Sequence, residues 1–284
     1  MIAALRYEWR RIVSVRATWV LLFVSALFSA AFSALQVSLS EFQSGIDGRS
    51  PMDLVFDNAQ NPISLVCLAT IAAMSFGHEY RYGTMRLTLT SIPRRGLVFF
   101  AKAAMATLFL LLGYSLNLLL SFVVGVVAGD QRVRFISLFA RQTTSTDREL
   151  GEWSALVIED IGRAALYVVI FGLFAFAITA VVRNLALGVV IPLIMSNIFE
   201  PLVLGFLESR WLFLNDVLPF NSGTLFLDWV PAGDSPGSGI FSDPSQVDYT
   251  VTNVITPMQA GAVFVAWALM LLAAAYTLLE RRDA

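Results

Sequence analysis

The stretch His78-Glu79-Tyr80-Arg81-Tyr82-Gly83-Thr84-Met85-Arg86 holds the residues of this chain best suited to act on another molecule. It combines an acid, two arginines and the only histidine, and Pro93, Arg94, Arg95 and Lys102 follow closely. Such side chains form charge-assisted hydrogen bonds and ion pairs, which set how one protein docks on another. The pattern does not suit hydrolysis. His78 has no second histidine or cysteine cluster with which to hold zinc, and no H-E-x-x-H spacing occurs. A serine hydrolase inside a helical bundle would need a histidine there, and His78 reads as a polar residue at the membrane edge. Cys67 stands alone in an apolar run, so no disulfide forms within the chain, and it reads as a small buried residue. Lys102 is the only lysine, and no G-x-x-x-x-G-K-[ST] loop precedes it. The chain therefore lacks a Walker A motif. Any ATP hydrolysis that drives it takes place on another polypeptide.

The surroundings of this segment are apolar. Of 284 residues, 57% are hydrophobic and 14% charged, and the mean hydropathy is +0.72. Soluble domains carry roughly 25% charged residues. Several runs approach or exceed the roughly 20 residues that cross a bilayer as a helix, and they lack the alternation of a membrane barrel. The fold expected is an all-α integral membrane domain over residues 1–284, with six spans. These run about 18–40, 61–76, 97–128, 164–182, 185–207 and 258–279. Residues 1–16 interleave Arg6, Arg10, Arg11 and Arg16 with Ile2, Leu5, Trp9, Ile12 and Val13 at helical spacing, which predicts an amphipathic helix on the membrane surface. Trp19 is expected at the interface. Span three is longer than one perpendicular crossing, so it should tilt or project. Pro192 and Pro201 should bend span five. The stretch from Trp211 to Trp229 is too apolar for a solvated loop and predicts short helices against the outer surface.

Six spans put both ends on one side. The N-terminal segment, the two-three connection through Lys102, Arg183 and the C-terminus hold twelve basic and four acidic residues. The remainder holds seven basic and seventeen acidic. The positive-inside rule makes the first group cytoplasmic. The cytoplasmic surface is then small, and a cytosolic partner has to dock on the two-three connection and its neighbours.

Locally, Glu79 and Arg81 are expected just past the apolar end of span two. Gly83 permits a bend, Thr84 can cap a short helix over 85–90, and Pro93 ends that helix by restricting Ile92. Arg94, Arg95 and Lys102 are expected to reach toward anionic headgroups. A short helix held between two spans can pass a push from a partner into the membrane.

Three sets of residues then resemble one family. Glu79-x-Arg81-x-Gly83-Thr84, Leu87-x-Leu89 and Pro93-x-Arg95 resemble the loop after the second span of ABC-2 type transporter permeases. Leu5-x-x-Glu8-x-x-Arg11 through Arg16-x-x-Trp19 resembles the surface helix leading into their first span. Arg183-Asn184 and Leu218-Pro219-Phe220-Asn221 are similar to features nearer the end. The resemblance implies a bacterial inner-membrane permease subunit, not itself an enzyme and without a cofactor, metal or nucleic-acid partner. It pairs with a second permease subunit and with a separate ATP-binding cassette ATPase, and it exports its cargo. It implies that Glu79, Arg81, Gly83, Thr84 and Arg86 couple to the ATPase, and that spans two and five line the dimer interface. An ion-coupled secondary transporter is the alternative, although such proteins carry ionisable groups within the membrane. Glu200 reads as an interfacial acid, Asn117 and Asn197 as bonds between helices, and the absence of buried charge suggests an amphiphilic cargo. A non-transporting scaffold is the other alternative.

Overall fold

Small residues decide which span is central. The helix α3, Pro62–Tyr82, carries Cys67, Ala69, Ala72, Ala73, Ser75 and Gly77, all buried. Small side chains let neighbouring backbones approach from every side, and 72% of an 18-residue apolar stretch of this span is buried in protein. The computed structural model describes residues 2–44, 61–84, 95–128, 150–206, 216–227 and 255–282. Around α3 stand α1 (Ile2–Ser14), α2 (Arg16–Ser44), α4 (Arg95–Ala128), α5 (Leu150–Val182) and α6 (Leu185–Ile194). A π-helical turn, Met195–Phe199, joins α6 to α7 (Glu200–Phe206), and α8 (Pro219–Leu227) and α9 (Pro257–Arg282) complete the order. Among the described residues there is no strand. Among the described residues, six helices are long and apolar enough to cross a membrane: Arg16–Gln36, Pro62–Tyr82, Arg95–Val127, Ile161–Val182, Leu185–Val203 and Met258–Arg281.

Several expected boundaries move. Span two continues six residues past Phe76 to Tyr82, so His78, Glu79 and Arg81 are helical and not looped. The helix is capped at its start by Asn61, whose Oδ1 accepts the Ile63 and Ser64 amides. It ends at Gly83, whose φ of 66° is left-handed and whose amide donates to the Glu79 carbonyl. At about 1.5 Å per residue, the 34 residues of α4 and 33 of α5 each extend about 50 Å, beyond the ~30 Å hydrocarbon layer. Pro192 is followed within three residues by the π turn, which absorbs the irregularity as a bulge.

The expected surface helix near Trp211–Trp229 is corrected over its described part. The helix α8 is packed into the bundle, not laid on it. Phe220 rings meet Phe171 and Phe174 at 5.5 and 5.0 Å, and Trp267 Nε1 donates to the Val217 carbonyl at 3.0 Å. Residues 207–215 and 228–254 lie outside the described residues.

Asn117 joins three spans. Its Nδ2 donates to Ser25 Oγ of α2 at 2.8 Å and to Ser64 Oγ of α3 at 2.6 Å. One turn further along α4, Ser121 meets Ser29 at 2.9 Å. This matches the reading of Asn117 as glue between helices. Asn197 differs, because its amide bonds stay within its own helix, to Leu193 O and Ser196 Oγ.

Candidate functional site

One end of the bundle gathers most of the expected site. The start of α4, the ends of α3 and α5, and the end of α9 meet there in one aromatic cluster. Phe76 stacks near Phe99 and Phe176 at 6.0 and 5.0 Å, and Tyr276 of α9 lies 5.6 Å from Phe99. Arg95 donates to the Glu280 carbonyl at 2.9 Å. The α5–α6 turn closes the same end. Asn184 caps α6 through the Ala186 and Leu187 amides, and the Arg183 guanidinium lies 5.5 Å from the Tyr80 ring. The four segments grouped by charge in the sequence therefore share one end of the molecule.

At their centre is a buried ion cluster. Lys102, two turns into α4, is 0% exposed. Its Nζ lies 2.7 Å from Glu8 Oε1, 2.6 Å from Glu79 Oε1 and 3.3 Å from the Ser75 carbonyl. Arg11 also pairs with Glu79 Oε1, approaches Glu8 Oε2 at 3.2 Å and donates to the Ser75 carbonyl at 2.7 Å. Its side chain is 19% exposed, so it forms the wet edge. Two acids and two bases cancel, which is how buried charge is tolerated. The cluster joins three helices: α1 supplies Glu8 and Arg11, α3 supplies Glu79, and α4 supplies Lys102. Phe76 provides a ring 5.6 Å from the ammonium.

The geometry of α1 follows. Ala4, Glu8 and Ile12 recur every four residues and are all buried, while Tyr7 and Trp9 are exposed. A stripe spaced by four runs along one face of a helix, and here that face packs on α4. Trp19 Nε1 donates to the Val13 carbonyl at 2.8 Å and fixes the corner between α1 and α2.

The expected coupling residues separate. Glu79 is buried and already holds two cations of its own chain, so its carboxylate does not face outward. Arg81 is exposed, 5.7 Å from the Tyr82 ring. Gly83 is exposed, and the bend expected there is a left-handed cap at the end of α3. Thr84 is exposed, and its amide closes the end of α3 on the Glu79 carbonyl at 3.1 Å. Arg86, the expected short helix over 85–90, Pro93 and Arg94 lie outside the described residues. His78 is half-buried and meets the edge of Tyr82 at 6.1 Å.

Two further expectations are corrected. Lys102 does not reach toward lipid headgroups, because Glu8 and Glu79 hold it inside. Buried charge is present, which removes the reason for inferring an amphiphilic cargo. Glu200, expected at the interface, is also buried, and its two oxygens accept the Phe220 and Asn221 amides at 3.0 and 2.6 Å. Glu8 and Arg11 escaped the reading of function. Their signal was the four-residue stripe Ala4-Glu8-Ile12, with an acid where an apolar residue was expected. No protein-family model matches the chain, and no curated protein matches it.

Proposed function

We propose that the chain is a permease subunit of an ATP-binding cassette transporter in a bacterial inner membrane, driven by a separate ATPase that docks where α3 and α4 are joined. In this reading the shared end faces the cytoplasm, by the excess of arginine there. The helix α1 lies along the interface, and the ATPase engages the connection between α3 and α4. A second permease subunit packs against α6, which its own chain leaves largely uncovered, whereas α3 is enclosed within the chain and does not face that subunit, and transport runs outward.

The observation that carries the proposal is the buried ion cluster at the foot of that connection. It ties α1, α3 and α4 together just where a partner would push. A load applied at 83–94 then moves three helices as one body instead of bending a single span. The missing Walker A motif supports the need for a second chain. The same buried charges would suit an ion-coupled transporter. Their mutual neutralisation, and their place at one end of the bundle, favour a fixed joint over a travelling site.

The exposed member of the coupling set on α3 is then Arg81, while Glu79 positions the helix that carries it. The test is purification of the tagged chain from its native membrane, with and without Arg81→Glu and Arg86→Glu together. An ATPase bearing a Walker A motif should co-purify with the unaltered chain and be lost from the variant, while both insert equally. Equal recovery of that ATPase with both chains, or none with either, would refute the reading.

A further inference from the structure

A cavity of about 200 Å³ lies at the opposite end of the bundle from the ion cluster. On α3, Leu65 lines the cavity and Glu79 belongs to the cluster, about 20 Å apart along the helix. Glu200, 1% exposed, supplies a carboxylate to the cavity wall. The two amide hydrogens it accepts hold it at the start of α8, but they bring no unit positive charge. Among the described residues no lysine or arginine lines the cavity, and no ion pair involves Glu200. A carboxylate offers about four acceptor positions, so about two remain.

The rest of the lining has the same polarity. Asn197, on the π turn, directs its amide hydrogens to Leu193 O and Ser196 Oγ, which leaves its carbonyl oxygen as the group it can offer. Tyr167, Phe171 and Phe220 add aromatic rings to the wall. Ring faces are electron-rich and attract cations. Ser196, Asn221 and Thr224 also line it, with the Ser196 and Thr224 hydroxyls donating to the Leu193 and Asn221 carbonyls, so Glu200 is the one charged residue in a polar and aromatic lining. A calcium ion would instead need six to eight oxygen ligands around it. We propose that this cavity binds a small organic ammonium ion, with Glu200 as its counter-charge and the rings as its apolar cage. The claim stands apart from the transport reading, because binding is a property of the chain alone.

The probe is choline, and the control is its uncharged isostere 3,3-dimethylbutan-1-ol. Binding is measured by calorimetry and ligand-observed NMR on the full chain in lipid nanodiscs, without any partner. Choline should saturate and the alcohol should not. Glu200→Gln retains an acceptor for α8 but removes the charge, and it should weaken choline at least about thirtyfold, the lower end for loss of one partner of a buried charge pair. Asn197→Asp adds a second negative charge on the exposed turn and should tighten choline severalfold, which keeps the test intact if Glu200→Gln fails to fold. Equal binding of the alcohol, affinity unmoved by either change of charge, or no saturable binding of choline to the unaltered chain would each overturn the proposal.

Discussion

Replacing Lys102 with methionine should be the most damaging single change at the ion cluster. Its Nζ lies 2.6 and 2.7 Å from two carboxylate oxygens. At an effective dielectric of about 20, each contact is worth about 6 kcal/mol of gross attraction. Both oxygens touch one nitrogen, so they lie about 5 Å apart at most, and their mutual repulsion is about 3 kcal/mol or more. Methionine fills the space but leaves Glu8 and Glu79 to share Arg11. After the gain from not desolvating an ammonium, loss of one partner from a buried cluster costs about 3–5 kcal/mol. Glu79→Gln is the second arm. Glu79 Oε1 makes both ion contacts, while Oε2 has no hydrogen-bond partner among the described residues. An amide can therefore keep the contacting oxygen and lose only the charge, for about 1.5–3 kcal/mol. In the double variant Glu8 faces Arg11 alone, and the site is neutral again. The double should be less destabilised than the sum of the singles by at least about 1 kcal/mol, as for residues within one network. Unfolding free energies from SDS titration in mixed micelles, followed by circular dichroism, measure this cycle. Additivity within about 0.5 kcal/mol, or a Lys102→Met loss below about 1 kcal/mol, would refute a neutral, mutually dependent cluster.

Two other changes probe the joints that hold the spans. A Cβ on Gly188 would sit 1.7 Å from Thr179 Oγ1 and 2.8 and 2.9 Å from its Cβ and Cα, so Gly188→Ala should destabilise the α5–α6 hairpin by about 1–3 kcal/mol in the same titration, and Thr179→Ala in the same chain should restore only part of the loss, because the close approach of Cβ and Cα remains. Asn117→Leu removes donors to both Ser25 and Ser64 and should lower stability by about 1 kcal/mol, at roughly 0.6 kcal/mol per interhelical bond, with loss of α2–α4 crosslinking between cysteines placed at positions 29 and 121.

The extent to which this architecture was readable from sequence depends on how far apart the deciding residues lie. The spans were legible because their cause is local: a run of apolar residues needs no knowledge of its neighbours. The bend at Gly83 was legible for the same reason, since a glycine lacks the Cβ that resists it, and its φ of 66° agrees; that the bend is the cap of α3 was not, because the helix was ended at Phe76. The shared end was legible through charge, because sidedness acts on each connection separately.

The end of span two was misplaced at Phe76 because Glu79 and Arg81 were weighed as solvated charges. Glu79 can remain in a buried helix only because Arg11, 68 residues earlier, and Lys102, 23 residues later, neutralise it. No window along the chain contains all of these residues. Pairing them requires the inward face of α1 to be known, and a reading that assigned Trp9 to the apolar face turned that helix toward lipid. Lys102 carried the same ambiguity. A lysine seven residues into an apolar run either reaches for the surface or meets an acid inside, and the apolar run looks identical in both cases. What distinguishes them is whether an acid stands on the buried stripe of another helix, as Glu8 does between Ala4 and Ile12. In a chain with so few charges, each one set within a helical apolar stripe is best tested first against the others for a buried partner, and only then assigned to water. Applied here, that rule joins Glu8 to Lys102, and it marks Glu200 as a buried acid in none of these ion pairs.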